Sequence, residues 1–96
     1  MFAPLDPVLH SQLRLSVVSL LVSVRAAEFT WLREKTGSTA GNLSVQLNKL
    51  AEAGYIEIKK SFRDNYPLTE CKITKKGIKA FEAYVNNIKQ YIHQKK

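Results

Sequence analysis

The stretch GSTAGNLSVQLNKLAEAGYIEIKK, residues 37–60, changes its hydrophobic period in mid-course, and that change limits what the chain can become. Leu43, Leu47 and Leu50 recur at helical spacing, so one side of a helix is apolar. Gly37 and Gly54 bracket it, each suited to the left-handed residue that closes a preceding helix. From Ile56 to Lys59 apolar and charged side chains alternate instead, the period of a half-buried strand. The helix is thus expected to end at Gly54 and a strand to follow it. Opposite the leucines stand Ser38, Gly41, Asn42, Val45, Asn48 and Lys49, which are small or polar and include no acid. A helix that needed only solubility would carry Glu and Lys there.

The flanking sequence extends the pattern. Asp6 followed by Pro7 reads as a helix start, with the carboxylate as cap and proline at the first helical position. Leu9, Leu13, Val17, Leu20, Leu21 and Val24 then predict a first helix to about residue 24. Arg25 to Glu28 reads as a short loop. Phe29, Leu32 and the residues to Lys35 predict a brief second helix ending near Gly37, and Ser38 is the expected N-cap of a third, about residues 38–53. A strand follows from Tyr55 to Phe62, then a polar turn from Arg63 to Pro67 and a strand from Leu68 to Ile73, a hairpin with an extended loop. Thr74 caps a last helix, where Ile78, Phe81, Val85, Ile88 and Ile92 step by three and four. There is no internal repeat or low-complexity segment, and residues 1–96 read as one domain with one modest core.

Charge is distributed unevenly. Residues 1–48 hold four basic and three acidic side chains, residues 49–96 eleven and five. A basic half suggests a polyanion, either nucleic acid or an anionic membrane surface, and its bland counterpart is a solvated surface. The stretch Leu13 to Val24 is broken by Arg14, Ser16, Ser19 and Ser23, too short and polar to span a bilayer. Met1 to His10 lacks a basic n-region and a cleavage-like site, so a soluble, cytoplasmic protein is expected. Cys71 has no partner for an internal disulfide, and His10 and His93 have no ligand spacing to each other or to it. No metal and no cofactor are therefore expected. Without a carboxylate pair, a Cys–His pair or a glycine-rich phosphate loop, the chain does not read as an enzyme.

The order helix, helix, helix, hairpin, helix is mainly α with a small β-hairpin. Its second and third helices lie about three residues apart around a glycine, as a helix-turn-helix requires, and the hairpin directly after them makes a winged helix. A helix in a DNA major groove must keep acids away from phosphates and carry donor–acceptor groups for base edges. The segments LDPVLHSQLRLSVVSLL, FTWLREKTGSTAGNLSVQLNKLAEAGYIEIKKSF and PLTECKITKKGIKAFEAY resemble the small winged-helix transcriptional regulators related to the MarR and ArsR families. The likeness covers about residues 5–92.

That resemblance implies a homodimer on double-stranded DNA, with the third helix in the major groove and the wing, about residues 59–68, on the backbone. By position it implies that Ser38, Thr39, Asn42, Val45, Gln46 and Lys49 face DNA, and that Lys59, Lys60, Arg63 and Asn65 serve the wing. Two departures stand out. Val45 occupies a place where relatives often have a basic residue, and Asp64, Tyr66 and Leu68 make the wing less cationic, leaving phosphate contacts partly to the C-terminal lysines.

Each of these residues also has an ordinary reading. Asn42 and Gln46 suit adenine edges but are also common surface amides. Val45 suits a thymine methyl or simply stands exposed, and Ser44 reads as a packed or backbone-bonding hydroxyl. Lys59, Lys60 and Arg63 protect an edge strand equally well. His10 and Arg14, four apart, face either a partner subunit or the third helix. Cys71 reads as a small, partly buried strand residue. The last helix is apolar over more of its girth than one small core needs. Ile78, Phe81 and Val85 are expected to pack on the domain, leaving Tyr84, Ile88, Tyr91 and Ile92 exposed. With Phe2, Leu5, Val8 and Leu9 they form the expected interface of a two-fold dimer. Any small-molecule effector would have to bind at that interface. The competing function is a winged-helix module that docks protein, which salt dependence separates from DNA binding. RNA reading lacks the exposed aromatic pair that single-strand readers use.

Overall fold

The two periods of the sequence become four helices and one small sheet in a computed structural model that describes residues 2–93. In chain order the elements are α1 (Gln12–Val24), β1 (Ala26–Glu28), α2 (Phe29–Thr36), α3 (Ala40–Glu52), β2 (Ile56–Arg63), β3 (Tyr66–Ile73) and α4 (Lys75–Ile92). This is the winged helix-turn-helix. Leu43, Leu47 and Leu50 of α3 are buried, as their spacing requires, against Val17, Val18 and Leu21 of α1 and Leu32 of α2. Ile56, Cys71 and Ile73 close the core from the sheet side. None of the described helices is long and apolar enough to cross a membrane.

Four local expectations are corrected. The residues after Arg25 form a strand, giving an antiparallel sheet of order β1-β3-β2 in which Ala26, Ala27 and Glu28 face Lys72, Cys71 and Glu70. Three residues are too few to show a period, and Ala-Ala-Glu has little strand preference of its own; pairing with β3 makes the strand. The first helix begins at Gln12, after an extended Ser11 at φ −151°, while residues 7–10 form a separate turn. Asp6 caps that turn: Oδ1 accepts from the Val8 amide at 2.8 Å, and Oδ2 accepts from the Tyr55 hydroxyl. Burial, helped by the Asp6 carboxylate, pushes the Tyr55 phenol up to about 12.

The N-cap of α3 is Thr39, whose hydroxyl accepts from the Asn42 amide at 3.2 Å. Ser38 bonds instead to the Thr36 hydroxyl at 2.9 Å and braces the turn. Last, the hairpin is tight. Arg63 pairs with Tyr66, so only Asp64 and Asn65 turn the chain, at φ 50° and 67°. Both lie in the left-handed region that a two-residue turn of this hand needs, and short polar side chains tolerate it. Pro67 sits opposite Phe62, beyond the reach of β1, where β3 has an open side for its missing N–H.

The remaining constraint is a junction of four elements. Thr74 caps α4 as expected, accepting from the Gly77 amide at 3.0 Å, and its hydroxyl donates to the Gly54 carbonyl at 2.7 Å. The Thr74 amide donates to the Tyr55 carbonyl at 3.1 Å. Gly77 lies against that same carbonyl so closely that a Cβ would stand 2.2 Å from the Tyr55 oxygen and 2.9 Å from Ile73 Cδ1. Gly77→Ala must therefore separate α4 from the sheet. A loss of about 3 kcal/mol and a fall of more than about 10 °C in melting temperature are expected; a thermal melt matching wild type would show that the approach is looser.

Cys71 supplies an independent check on the core. It is fully buried, and burial pushes its thiol up from an ordinary 9.0 to about 11. A thiol reagent at mildly alkaline pH should leave the native protein unmodified and label it fully in denaturant. Because the unfolded thiol ionises first, its stabilising share is complete below about pH 9 and is lost as pH rises toward about 11. Rapid labelling of the folded protein would place Cys71 outside the core.

Candidate nucleic-acid interface

Gly37, at φ 70°, ends α2 and turns the chain into α3 within three residues. With the leucines committed to the core, the rest of α3 is exposed over a broad arc that holds no acid before Glu52. At 100° per residue, Asn42, Gln46 and Lys49 fall on the flank nearer α1, and Ser44 and Asn48 on the flank nearer the wing. Gly41 and Val45 lie between them, and Val45 is 50% exposed.

The α1 flank is pre-ordered. Gln46 is half-buried; its carbonyl accepts from Arg14 Nη1, and its amide nitrogen donates to Asn42 Oδ1 at 3.1 Å. Arg14 Nε in turn donates to the Val8 carbonyl at 2.6 Å. Of the two directions open to the pair His10 and Arg14, Arg14 takes the third helix, while His10 Nδ1 meets the Tyr84 hydroxyl at 3.1 Å. Lys49 is exposed beside a cleft lined by Pro7, Val8 and Arg14.

On the other flank, Ser44 and Asn48 border a groove of about 350 Å3 whose far wall is Ile58, Lys60 and Thr69. Ser44 is exposed and not packed, and Asn48 is exposed beside it. Their i, i+4 spacing is visible in the sequence. That they share a flank with the wing is not, because it depends on where β2 lands.

The hairpin register then separates the wing's cations. Side chains alternate along a strand, so Lys60 shares its face with Ile56, Ile58 and Phe62, toward α3, and with Thr69 and Cys71 across the ladder. That face has no acid. Lys59 and Arg63 lie on the opposite face with Glu57, Glu70, Lys72 and, from β1, Glu28. Three acids there match three bases, and the Arg63 guanidinium sits 3.8 Å from the Glu28 carboxylate. Lys59 and Lys60, adjacent in sequence, thus stand in opposite electrostatic settings. Asn65 is at the exposed tip, between Phe62 and Tyr66, themselves 76% and 75% exposed. The C-terminal lysines, Lys95 and Lys96, lie outside the described residues.

The apolar residues assigned to a dimer divide too. Leu9 is fully buried and Tyr84 is 7% exposed, so both belong to the chain's own core, contrary to their assignment to an exposed interface. The shift follows from the start of α1: a turn at residues 7–10 delivers Leu9 inward and His10 onto Tyr84. Leu5 and Ile88 are half-buried against the core. Phe2, Tyr91 and Ile92 remain exposed, with Phe2 stacked on Tyr91 at a centroid distance of 4.6 Å.

Compared with known proteins, residues 13–92 match the family described as winged helix DNA-binding domain. A protein of Methanocaldococcus jannaschii, described as uncharacterized, is 40% identical over 83 residues, 86% of this chain and 90% of its own length. Among solved structures, the transcriptional regulator homologue of Pyrococcus horikoshii OT3 superposes with a TM-score of 0.83 at 26% identity, over 88% of this chain and 84% of that one. A mutant MarR from E. coli, solved in complex with operator DNA, shares the fold at a TM-score of 0.71 and 20% identity. The match covers 84% of this chain and 57% of that larger protein.

Proposed function

The chain belongs to the winged helix DNA-binding domain family, and from that premise we propose that it is a transcriptional regulator that binds duplex DNA sequence-specifically as a homodimer. In this reading α3 enters the major groove, with Ser38, Thr39, Asn42, Val45, Gln46 and Lys49 turned to DNA, joined by Ser44 and Asn48. Lys59, Lys60, Arg63 and Asn65 place the wing along the backbone. The supporting observation is segregation of charge: the exposed arc of α3 holds no acid before Glu52 in its last turn, the wing face that continues it holds none, and the sheet's acids sit on the other face. A groove-reading surface must combine phosphate attraction with neutral donors and acceptors.

One feature supports the competing reading of a protein-docking module, the two exposed aromatics at the wing tip, Phe62 and Tyr66. Titrations of specific and random duplexes across a salt series separate the two. Asn42→Ala should cost about 1–3 kcal/mol on the specific duplex and little on random DNA. Lys60→Ala should weaken both alike and lower the salt slope by about one. Arg63→Ala should have a smaller effect than Lys60→Ala, because Glu28 already engages that guanidinium. Affinity that ignores salt, or an Asn42→Ala loss equal on both duplexes, would count against base reading.

Dimerisation is supported by the far half of α4. Its buried residues are Gly77 and Tyr84, so none lies in the last two turns, which carry Ile88, Tyr91 and Ile92. Tyr91 is 41% and Ile92 67% exposed, beside Phe2 at 48%. Light scattering at micromolar concentration should return twice the chain mass. Ile92→Glu, at a position 67% exposed, should shift it toward monomer without lowering thermal stability of the fold itself. A monomeric wild type at that concentration would overturn the assignment.

A further inference from the structure

Taking up the reading that Asn42 touches a base, we propose that Arg14, outside the recognition helix, fixes which end of the Asn42 amide meets DNA. The relay runs in one direction. Arg14 donates to the Val8 carbonyl and to Gln46 Oε1, and Gln46 Nε2 donates to Asn42 Oδ1. A guanidinium has only donors and stays protonated. Gln46 must therefore turn its oxygen to Arg14, leaving its nitrogen for Asn42. Asn42 must answer with its oxygen, and its NH2 faces away from Gln46. Flipping either amide sets N–H against N–H or oxygen against oxygen.

The backbone of Asn42 is held as well, its amide donating to the Thr39 cap at 3.2 Å. Asn42 thus reaches the groove as two N–H donors with one lone pair of its oxygen already engaged. The major-groove edge that offers two neighbouring acceptors is guanine, through N7 and O6. Adenine needs a donor and an acceptor side by side, the pairing that a freely rotating asparagine favours. Arg14 is then a positioning residue: it selects guanine over adenine without touching the DNA.

Selection of duplexes from a random pool tests this with five proteins: wild type, Asn42→Ala, Arg14→Met, Arg14→Lys and Gln46→Glu. The base pair whose preference disappears in Asn42→Ala is the one Asn42 reads. Wild type should prefer guanine there over adenine by roughly tenfold or more, the discrimination of a good bidentate contact. Arg14→Met should bring the two toward equality, whereas Arg14→Lys, still donor-only, should retain guanine. Gln46→Glu is the reversal. A carboxylate accepts from both Arg14 and Asn42, so the Asn42 carbonyl turns outward and preference should move to a base with an exposed amino group, adenine or cytosine.

A merely structural Arg14 would lower melting temperature and leave base preference unmoved. If Arg14→Met proves unstable, Gln46→Glu keeps the Arg14 contact and decides alone. Retained guanine in Gln46→Glu, or adenine selected by wild type, overturns the assignment of Arg14 while leaving Asn42 a base contact. If Asn42→Ala flattens no position, the DNA-contact reading fails and this inference fails with it.

Discussion

The close approach of α4 to the Tyr55 carbonyl, possible only because residue 77 has no side chain, sets the relation between the helices and the wing. Four elements end or begin there. The Tyr55 amide donates to Leu50 at the end of α3, its carbonyl accepts from Thr74 at the start of α4, and β2 begins at the next residue. Thr74 joins both glycines, donating to the Gly54 carbonyl and accepting from the Gly77 amide. Backbone hydrogen bonds of this kind fix direction more strictly than apolar contacts do. The angle at which the hairpin leaves α3, and hence the side of the wing that faces the helix's exposed arc, is settled at this point. A side chain at residue 77 would alter the surface at the far end of α3 without touching it.

Long periodic segments were legible in the sequence, and paired or short ones were not. The leucines of α3 and the alternation after Gly54 are repeated signals, each reinforced by several residues, so helix and strand follow from the pattern alone. β1 has three residues and exists only because β3 offers it a partner. Ser38 and Thr39 are both good caps by chemistry, and the choice between them fell to the Thr36 hydroxyl, which engages Ser38. Tyr84 looked like surplus apolar surface because helical spacing cannot show that His10 would cover its hydroxyl from the other end of the chain. The site divides in the same way. Asn42, Val45 and Lys49 are exposed as the wheel requires, but the inclusion of Ser44 and Asn48 depends on the hairpin.

Formal charge was the weaker guide, because it ignores alternation. The wing carries Lys59, Lys60 and Arg63 within five residues, which on composition looks like one cationic patch. Pairing in register divides it. On the outer face each base has an acid within the same small sheet, and an exposed pair such as Arg63–Glu28 is worth only about 0–1 kcal/mol, so it is easily exchanged. Lys60 has no acid on its face and stands over the groove beside Ser44 and Asn48. Its positive charge is uncompensated locally, which matters more to a polyanion than the net charge of the whole chain.

The N-terminal turn links the two proposed surfaces through side chains. Asp6 fastens it to Tyr55, and so to the junction, while Arg14 fastens it to Gln46 and so to α3. Leu9 drives the same turn into the core, and Phe2, a few residues earlier, stacks on the exposed end of α4. A two-fold protein that reads half-sites about one helical turn apart must hold its reading helices at a set distance and angle from the symmetry axis. Within a domain of this size few contacts are available to transmit that geometry. Here the connection between the apolar end and α3 passes through charged and polar groups whose donors and acceptors match in only one arrangement. An apolar turn in the same place would supply comparable burial, but it would leave nothing to set which way round the Gln46 and Asn42 amides pair. The same arginine thus joins the N-terminal turn to α3 and meets the pair of amides on the surface of that helix.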